Sequence, residues 1–184
     1  FDVVAKPNDW SKRTQTARQA ASSGDGESQR QWKEYWAALI SAAKGQYPAL
    51  EERAPYRGNW QTFETLRGGN PSFVVNATFP WDKSPRVEVY IDKTLAKSGY
   101  RALEKQRDAI EQAFGEKLSW EELPDNQASR IACYAPGSRI GRADANEQPL
   151  QQAWLIANGK KLADAARPFV RALDATSFQM TEES

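Results

Sequence analysis

Between Trp32 and Ala43 apolar residues recur at spacings of three and four: Trp32, Tyr35, Trp36, Leu39, Ile40 and Ala43 share one broad stripe. That period predicts an amphipathic helix, and Gly45 suits its C-terminal stop. The aromatic residues on the stripe read as core rather than as a row for stacking bases. Farther along, the period changes to two. Phe73, Val75, Ala77 and Phe79 alternate with Val74, Asn76 and Thr78, and Val87, Val89 and Ile91 alternate with Arg86, Glu88, Tyr90 and Asp92. A turn over residues 80–85, with Pro80 and Pro85 at its ends, joins the two runs. The pair predicts an antiparallel hairpin.

A second unit follows in the same order. Thr94 is placed to cap a helix reaching about Phe114, with Tyr100, Leu103, Ile110 and Phe114 inward and Gly115 closing it. Leu118 and Trp120 mark a short strand, residues 124–126 a turn, and Ile131, Cys133 and Ala135 alternate with Arg130, Ala132 and Tyr134 in another strand. The last helix is predicted from Pro149, with Trp154, Leu155, Leu162, Ala166, Phe169, Val170 and Leu173 as its apolar stripe and a bend or break at Gly159 and Pro168. Residues 46–71, rich in Pro and Gly, read as a long loop anchored by Trp60 and Phe63. At the start, Asn8 or Asp9 suits the cap of a short helix through Trp10 and Ala17, and residues 21–27 read as a linker. The expected fold is α+β: an antiparallel sheet from two ββα units, helices packed on one face, preceded by an N-terminal helix. Residues 1–26 are expected to be a leader from an upstream domain, 27–175 a single domain and 176–184 a frayed tail.

Composition narrows the chemistry. The 184 residues include seven Trp, six Tyr and seven Phe, enough for a core without disulfide or metal support. There is no histidine, so imidazole-ligated zinc, Ser-His-Asp and Cys-His machinery are excluded within this chain. The one cysteine, Cys133, makes no internal disulfide and is expected to be inward and inert, which fits a reducing, cytoplasmic setting. No apolar run reaches the ~18 residues of a membrane span, and no secretory signal opens the chain. The chain begins at Phe1 rather than Met and is expected to be a piece of a longer protein. With 25 basic and 24 acidic residues, net charge neither demands nor excludes a nucleic-acid partner.

Three constellations remain. Glu88 and Asp92 fall on one strand face, and Glu121 lies on a nearby predicted strand. A metal-dependent nuclease needs such acids with a lysine, but Asp92 and Lys93 are adjacent and diverge. Cross-strand charge pairing is the alternative reading. The run APGSRIGRAD offers Arg139 and Arg142 with two glycines for a phosphate, or is a plain surface loop. Arg86, Tyr90, Arg130 and Tyr134 occupy corresponding non-core positions of two strands. They form a polar, aromatic face that can stack bases and hold phosphates, or a structural one with Arg130 tied to Glu88. No catalytic residue and no cofactor is expected.

The strings VVAKPNDWSK, QWKEYWAALI, RVEVYID, AIEQAFGEKLSWEELPDNQASRIACY and QAWLIANGKKL resemble the prokaryotic domain-of-unknown-function family 4268, from about Gln31 to Phe169. The resemblance implies a module that commonly follows a domain like the PD-(D/E)xK restriction-type nucleases, whose catalytic acids would lie upstream. The function it implies is a non-catalytic accessory module, with DNA or RNA and the upstream nuclease-like domain as partners, linked to restriction or defence. A protein-interaction or homodimerisation module and a metal-dependent nuclease built on Glu88, Asp92 and Glu121 are the alternatives.

Overall fold

A computed structural model describes residues 26–67, 70–80, 84–135 and 147–173. The expected leader helix, the Arg139 and Arg142 loop and the C-terminal tail lie outside the described residues. The first helix, α1, covers residues 26–42, and Gly45 just beyond it takes the left-handed φ of 74° that suits glycine. A short α2 (Pro48–Glu51) leads to three strands, β1 (Trp60–Arg67), β2 (Asn70–Thr78) and β3 (Arg86–Ile91). Two helices follow, α3 (Ala96–Glu104) and α4 (Arg107–Phe114), then β4 (Ser119–Glu121), β5 (Ser129–Tyr134) and α5 (Gln148–Ala172). The strands make one antiparallel sheet in the order β1-β2-β3-β5-β4.

The α+β class and its antiparallel sheet follow the sequence pattern, but three elements differ from expectation. Residues 60–67, read as loop, are an edge strand. Its pairing with β2 shifts register between Thr62 and Glu64, which leaves Phe63 and Glu64 both buried and breaks the two-residue period. Buried Gln61 and Glu64 further disguise it as polar. Each has a reason to be inside. Gln61 accepts from the Tyr56 amide (2.8 Å), and Glu64 accepts from Tyr47 Oη (2.8 Å) and Arg167 Nη2 (2.7 Å). Next, the helix expected from Thr94 to Phe114 is two helices, starting after Leu95 and interrupted at Lys105 and Gln106. The break keeps Leu103 and Ile110 both fully buried, so the apolar period runs across it unchanged.

The last correction is α5, one continuous helix of 25 residues through Gly159 and Pro168. Pro168 removes the donor that would bond the Asp164 carbonyl, and Asp164 lies on the wet side with half its side chain exposed. Gly159 is there for space. A Cβ at this position would stand 2.6 Å from two ring carbons of Phe63 and 3.7 Å from Val87. The α5 backbone therefore lies directly on β1 and β3. Gly99 of α3 does the same against Phe73, at 2.8 Å.

The core lies between this helical layer and one sheet face. Phe63, Phe73, Val75, Ala77, Val87, Val89, Ile91 and Ile131 meet Leu103, Ile110, Phe114, Leu155, Leu162 and Val170, all fully buried. Around it, α1 packs Trp32, Tyr35 and Trp36 against Phe79 in tilted and edge-on contacts, and Tyr35 Oη donates to Gln151 Oε1 at 2.6 Å. The aromatic stripe of α1 is core, as its spacing implies. Cys133 faces inward, and burial pushes its thiol up to about 11, which keeps it protonated and unreactive.

On the far side, Glu111 fastens α4 to β4. Its carboxylate accepts from Lys117 Nζ (2.7 Å), the Leu118 amide (3.1 Å) and Trp120 Nε1 (3.1 Å). Lys97 fastens the β4–β5 connection, donating to the carbonyls of Glu122 and Leu123, where Leu123 takes a positive φ of 52°. Among the described residues no helix is long and apolar enough to cross a membrane.

Two outcomes follow from these contacts. Gly159→Ala should lower the unfolding free energy by about 1–3 kcal/mol through overpacking, although alanine is the better helix former by about 1 kcal/mol. Phe63→Leu in the same chain should return part of that loss. Urea midpoints check both, and an unchanged midpoint in Gly159→Ala alone would place α5 farther from the sheet. The second outcome concerns pH. The Lys117 hydrogen bond, helped by the Leu118 amide and Trp120 and opposed by burial, holds the Glu111 carboxyl below its ordinary range. Its contribution to stability is complete above the ordinary glutamate value of about 4.3 and is lost as pH falls through the lowered one. The gap in urea midpoint between the protein and Glu111→Gln should therefore shrink from pH 7 to about pH 3. An equal gap at both pH values would remove this role.

Candidate functional site: the polar face of the sheet

The strand residues that alternate with the core positions build the opposite face. Register places Trp60, Thr78, Arg86 and Tyr134 in one row, Thr62, Asn76, Glu88, Ala132 and Ser119 in the next, and Val74, Tyr90, Arg130 and Glu121 in the third. Arg86, Tyr90, Arg130 and Tyr134 thus share one face, as their spacing predicts, and Glu88 and Glu121 stand among them. Arg139 and Arg142 fall outside the described residues.

Glu88 is the hub of this face, with a side chain only 4% exposed. It accepts from Arg86 Nε at 2.6 Å, Thr78 Oγ1 at 2.9 Å and Arg130 Nη1 at 3.3 Å. Glu121 accepts from Tyr134 Oη at 2.7 Å and Ser119 Oγ at 3.0 Å, and its other oxygen lies 3.3 Å from Arg130 Nε. The Arg86 guanidinium also lies 5.8 Å from the centre of the Tyr134 ring. Burial, then the bond to Glu121, pushes the Tyr134 phenol up to about 12, and burial raises Tyr90, so both remain neutral donors. The structural reading, with Arg130 tied to Glu88, describes these contacts.

The same geometry bears on the acids considered for a metal. The guanidinium of Arg130 lies between Glu88 and Glu121, and a cation would have to displace it. Asp92 accepts from the Lys93 amide. Among the described residues no three acids or thiols converge as a metal site would require.

Beside the hub lies a groove of about 420 Å³, lined by Asn59, Trp60, Thr62, Val74, Asn76, Thr78, Arg86, Glu88, Tyr90, Asp92 and Arg130. Trp60, which lines it, is 38% exposed and touches Tyr56, 45% exposed, with ring centres 4.3 Å apart. The loop that presents them is fixed. Trp36 Nε1 donates to the Gly58 carbonyl (2.8 Å), Asn59 Nδ2 to the Phe79 carbonyl (2.8 Å) and Gln61 Nε2 to the Ala54 carbonyl (3.2 Å). Gly58 leaves room for Tyr56, whose ring carbon lies 2.7 Å from where a Cβ would be. Arg57, between Tyr56 and Trp60 in the chain, is exposed and makes no ion pair with the described residues.

Sequence reasoning missed the Tyr56, Arg57 and Trp60 corner, because Trp60 was expected to anchor a loop. It also left Asn76 and Thr78 out of the site. Their positions were the available signal: two polar residues on the non-core side of β2, next to Arg86 and Glu88 of the adjoining strand.

The family model for a Domain of unknown function (DUF4268) matches residues 31–170, from α1 to near the end of α5. The chain belongs to this family. No curated protein and no solved structure matches it. The DUF4268 match covers both the groove and the loop that carries Tyr56 and Trp60.

Glu88→Leu should destabilise the DUF4268 fold by about 3–5 kcal/mol, since it strands the buried Arg86 guanidinium and takes one of two carboxylates from Arg130. Replacing the cluster together, as Arg86→Met, Glu88→Leu and Arg130→Met, should cost far less. Chemical denaturation of both variants separates the cases; equal losses would show that Glu88 does not hold the face.

Proposed function

We propose that this chain is a non-catalytic nucleic-acid-binding module that holds unpaired bases on the polar face of its sheet. The observation that carries the reading is the exposed Tyr56–Trp60 pair, of which Trp60 lines the groove. Exposed rings on a fixed support are what unstacked bases need, and each base–ring contact contributes about 1–3 kcal/mol. Asn59, Thr62 and Asn76 line the groove with neutral donors and acceptors suited to base edges.

Charge favours single strands over duplex. The groove arginines, Arg86 and Arg130, are ion-paired, which leaves Arg57 as the cation beside the aromatic pair for a backbone phosphate. A duplex binder needs a broad basic track, whereas a stacking site needs few phosphate contacts. In this reading the module acts in the cytoplasm as an accessory to a restriction-type nuclease-like domain, retaining a displaced or foreign strand for it. The support for that setting is the expectation, from the resemblance to the family, that this module follows a nuclease-like domain.

The alternative, a protein-interaction or dimerisation module using the exposed part of α1 or the last helix, is less favoured on α1, where Trp32 and Trp36 are 6% and 0% exposed.

Fluorescence anisotropy with a labelled single strand and the matching duplex is the test. Single-strand binding in the micromolar range should fall with a log–log salt slope of only about −0.7 to −1.4, reflecting one or two phosphate contacts. Trp60→Ala should weaken it by about 5- to 100-fold with the thermal midpoint little changed. Absence of binding at low salt, or a preference for duplex, overturns the proposal.

A further inference from the structure

Arg130 has the loosest contacts of the polar face. Its two carboxylate neighbours both lie at 3.3 Å, against about 2.7–2.9 Å for a well-made charged hydrogen bond. Its Nε is buried and makes no hydrogen bond. Both acids are already served by closer donors: Glu88 by Arg86 at 2.6 Å and Glu121 by Tyr134 at 2.7 Å. Arg130 can therefore turn toward a ligand without stranding either acid. It lines the groove and keeps 21% of its side chain exposed.

A guanidinium offers parallel N–H donors, and its complement is a pair of adjacent acceptors. A phosphate has such a pair, and so does guanine, with O6 and N7 on one edge. Charge separates the two. Glu88 and Asp92 line the same groove and balance Arg86 and Arg130, so an anion gains little there while a neutral base edge keeps its hydrogen bonds. Tyr90 pairs directly with Arg130 across the strands and adds a neutral ring beside it.

We propose that Arg130 is the specificity-determining residue of the groove and reads the O6/N7 edge of an unpaired guanine. This rests on the nucleic-acid reading above and adds a base preference to it.

The test uses short thymidine-rich strands with one central position occupied by guanine, adenine or 7-deazaguanine, which keeps O6 and lacks N7. The guanine strand should bind about 5- to 100-fold more tightly than the other two, the range for one bidentate arginine contact. Arg130→Met, which removes the donors and adds none, should abolish the preference and bring the guanine strand to the level of the adenine strand. Equal binding of guanine and 7-deazaguanine by the unsubstituted protein overturns the inference, and this comparison does not depend on how the variant folds. A uniform loss across all strands in Arg130→Met, with competition by inorganic phosphate, would assign Arg130 to the backbone and also overturn it. If the strands bind with no base preference, the inference fails while the nucleic-acid reading stands; if no strand binds, both fail.

Discussion

Where α5 crosses the sheet, the distance between the two layers is set by an absent side chain. Any Cβ at position 159 would collide with the Phe63 ring, so helix and sheet meet at backbone-to-ring contact. This seating brings Leu155, Leu162 and Val170 onto the inner strand residues and completes a core with all of them fully buried. It also assigns the faces of the sheet. The apolar face is spent on α5, α3 and the helices around them, and every alternate strand residue is turned to the other side. What that other side carries, and how its charges are satisfied, follows from this one close approach.

The outer face is polar to an extent that stability alone does not require. Buried ionic clusters can commonly be exchanged for well-packed apolar residues at no loss, yet Arg86, Glu88, Arg130 and Glu121 run diagonally over three strands. The arrangement is graded. Glu88 is bound tightly by Arg86 and loosely by Arg130. A tight centre with a loose rim is a scaffold on which one donor can change partner while the rest stay in place. The neighbouring aromatic corner is fixed by a different device, the Trp36 indole of α1 holding the Gly58 carbonyl. The core helix and the exposed rings are thus one mechanical unit.

The two edges of the sheet are managed differently, and this limits where a partner strand could add. The β4 edge is three residues long. Along β1, the Phe63 carbonyl is taken by Arg53 Nε and the Thr62 carbonyl by Gln61 Nε2. Short length and side-chain cover are common protections against edge-to-edge pairing. The polar face, rather than a sheet edge, is the surface this fold leaves available.

Much of the architecture was legible from the residues. The stripe from Trp32 to Ala43, the alternation in β2, β3 and β5 and the stop at Gly115 depend on local periods and local backbone geometry, which act over a few residues and are written in the chain. Alternation likewise placed Arg86, Tyr90, Arg130 and Tyr134 on one face. Tertiary structure decided the rest. The β1 strand was hidden because a bulge put Phe63 and Glu64 on the same side, and because the buried Glu64 is satisfied by partners far along the chain, Tyr47 and Arg167. The continuity of α5 through Gly159 depends on a ring that stands 96 residues earlier. The groove with Trp60 in its lining needs β1 beside β2 and α1 beneath the loop. No local period encodes that placement, because long-range packing energy, not propensity, selects it.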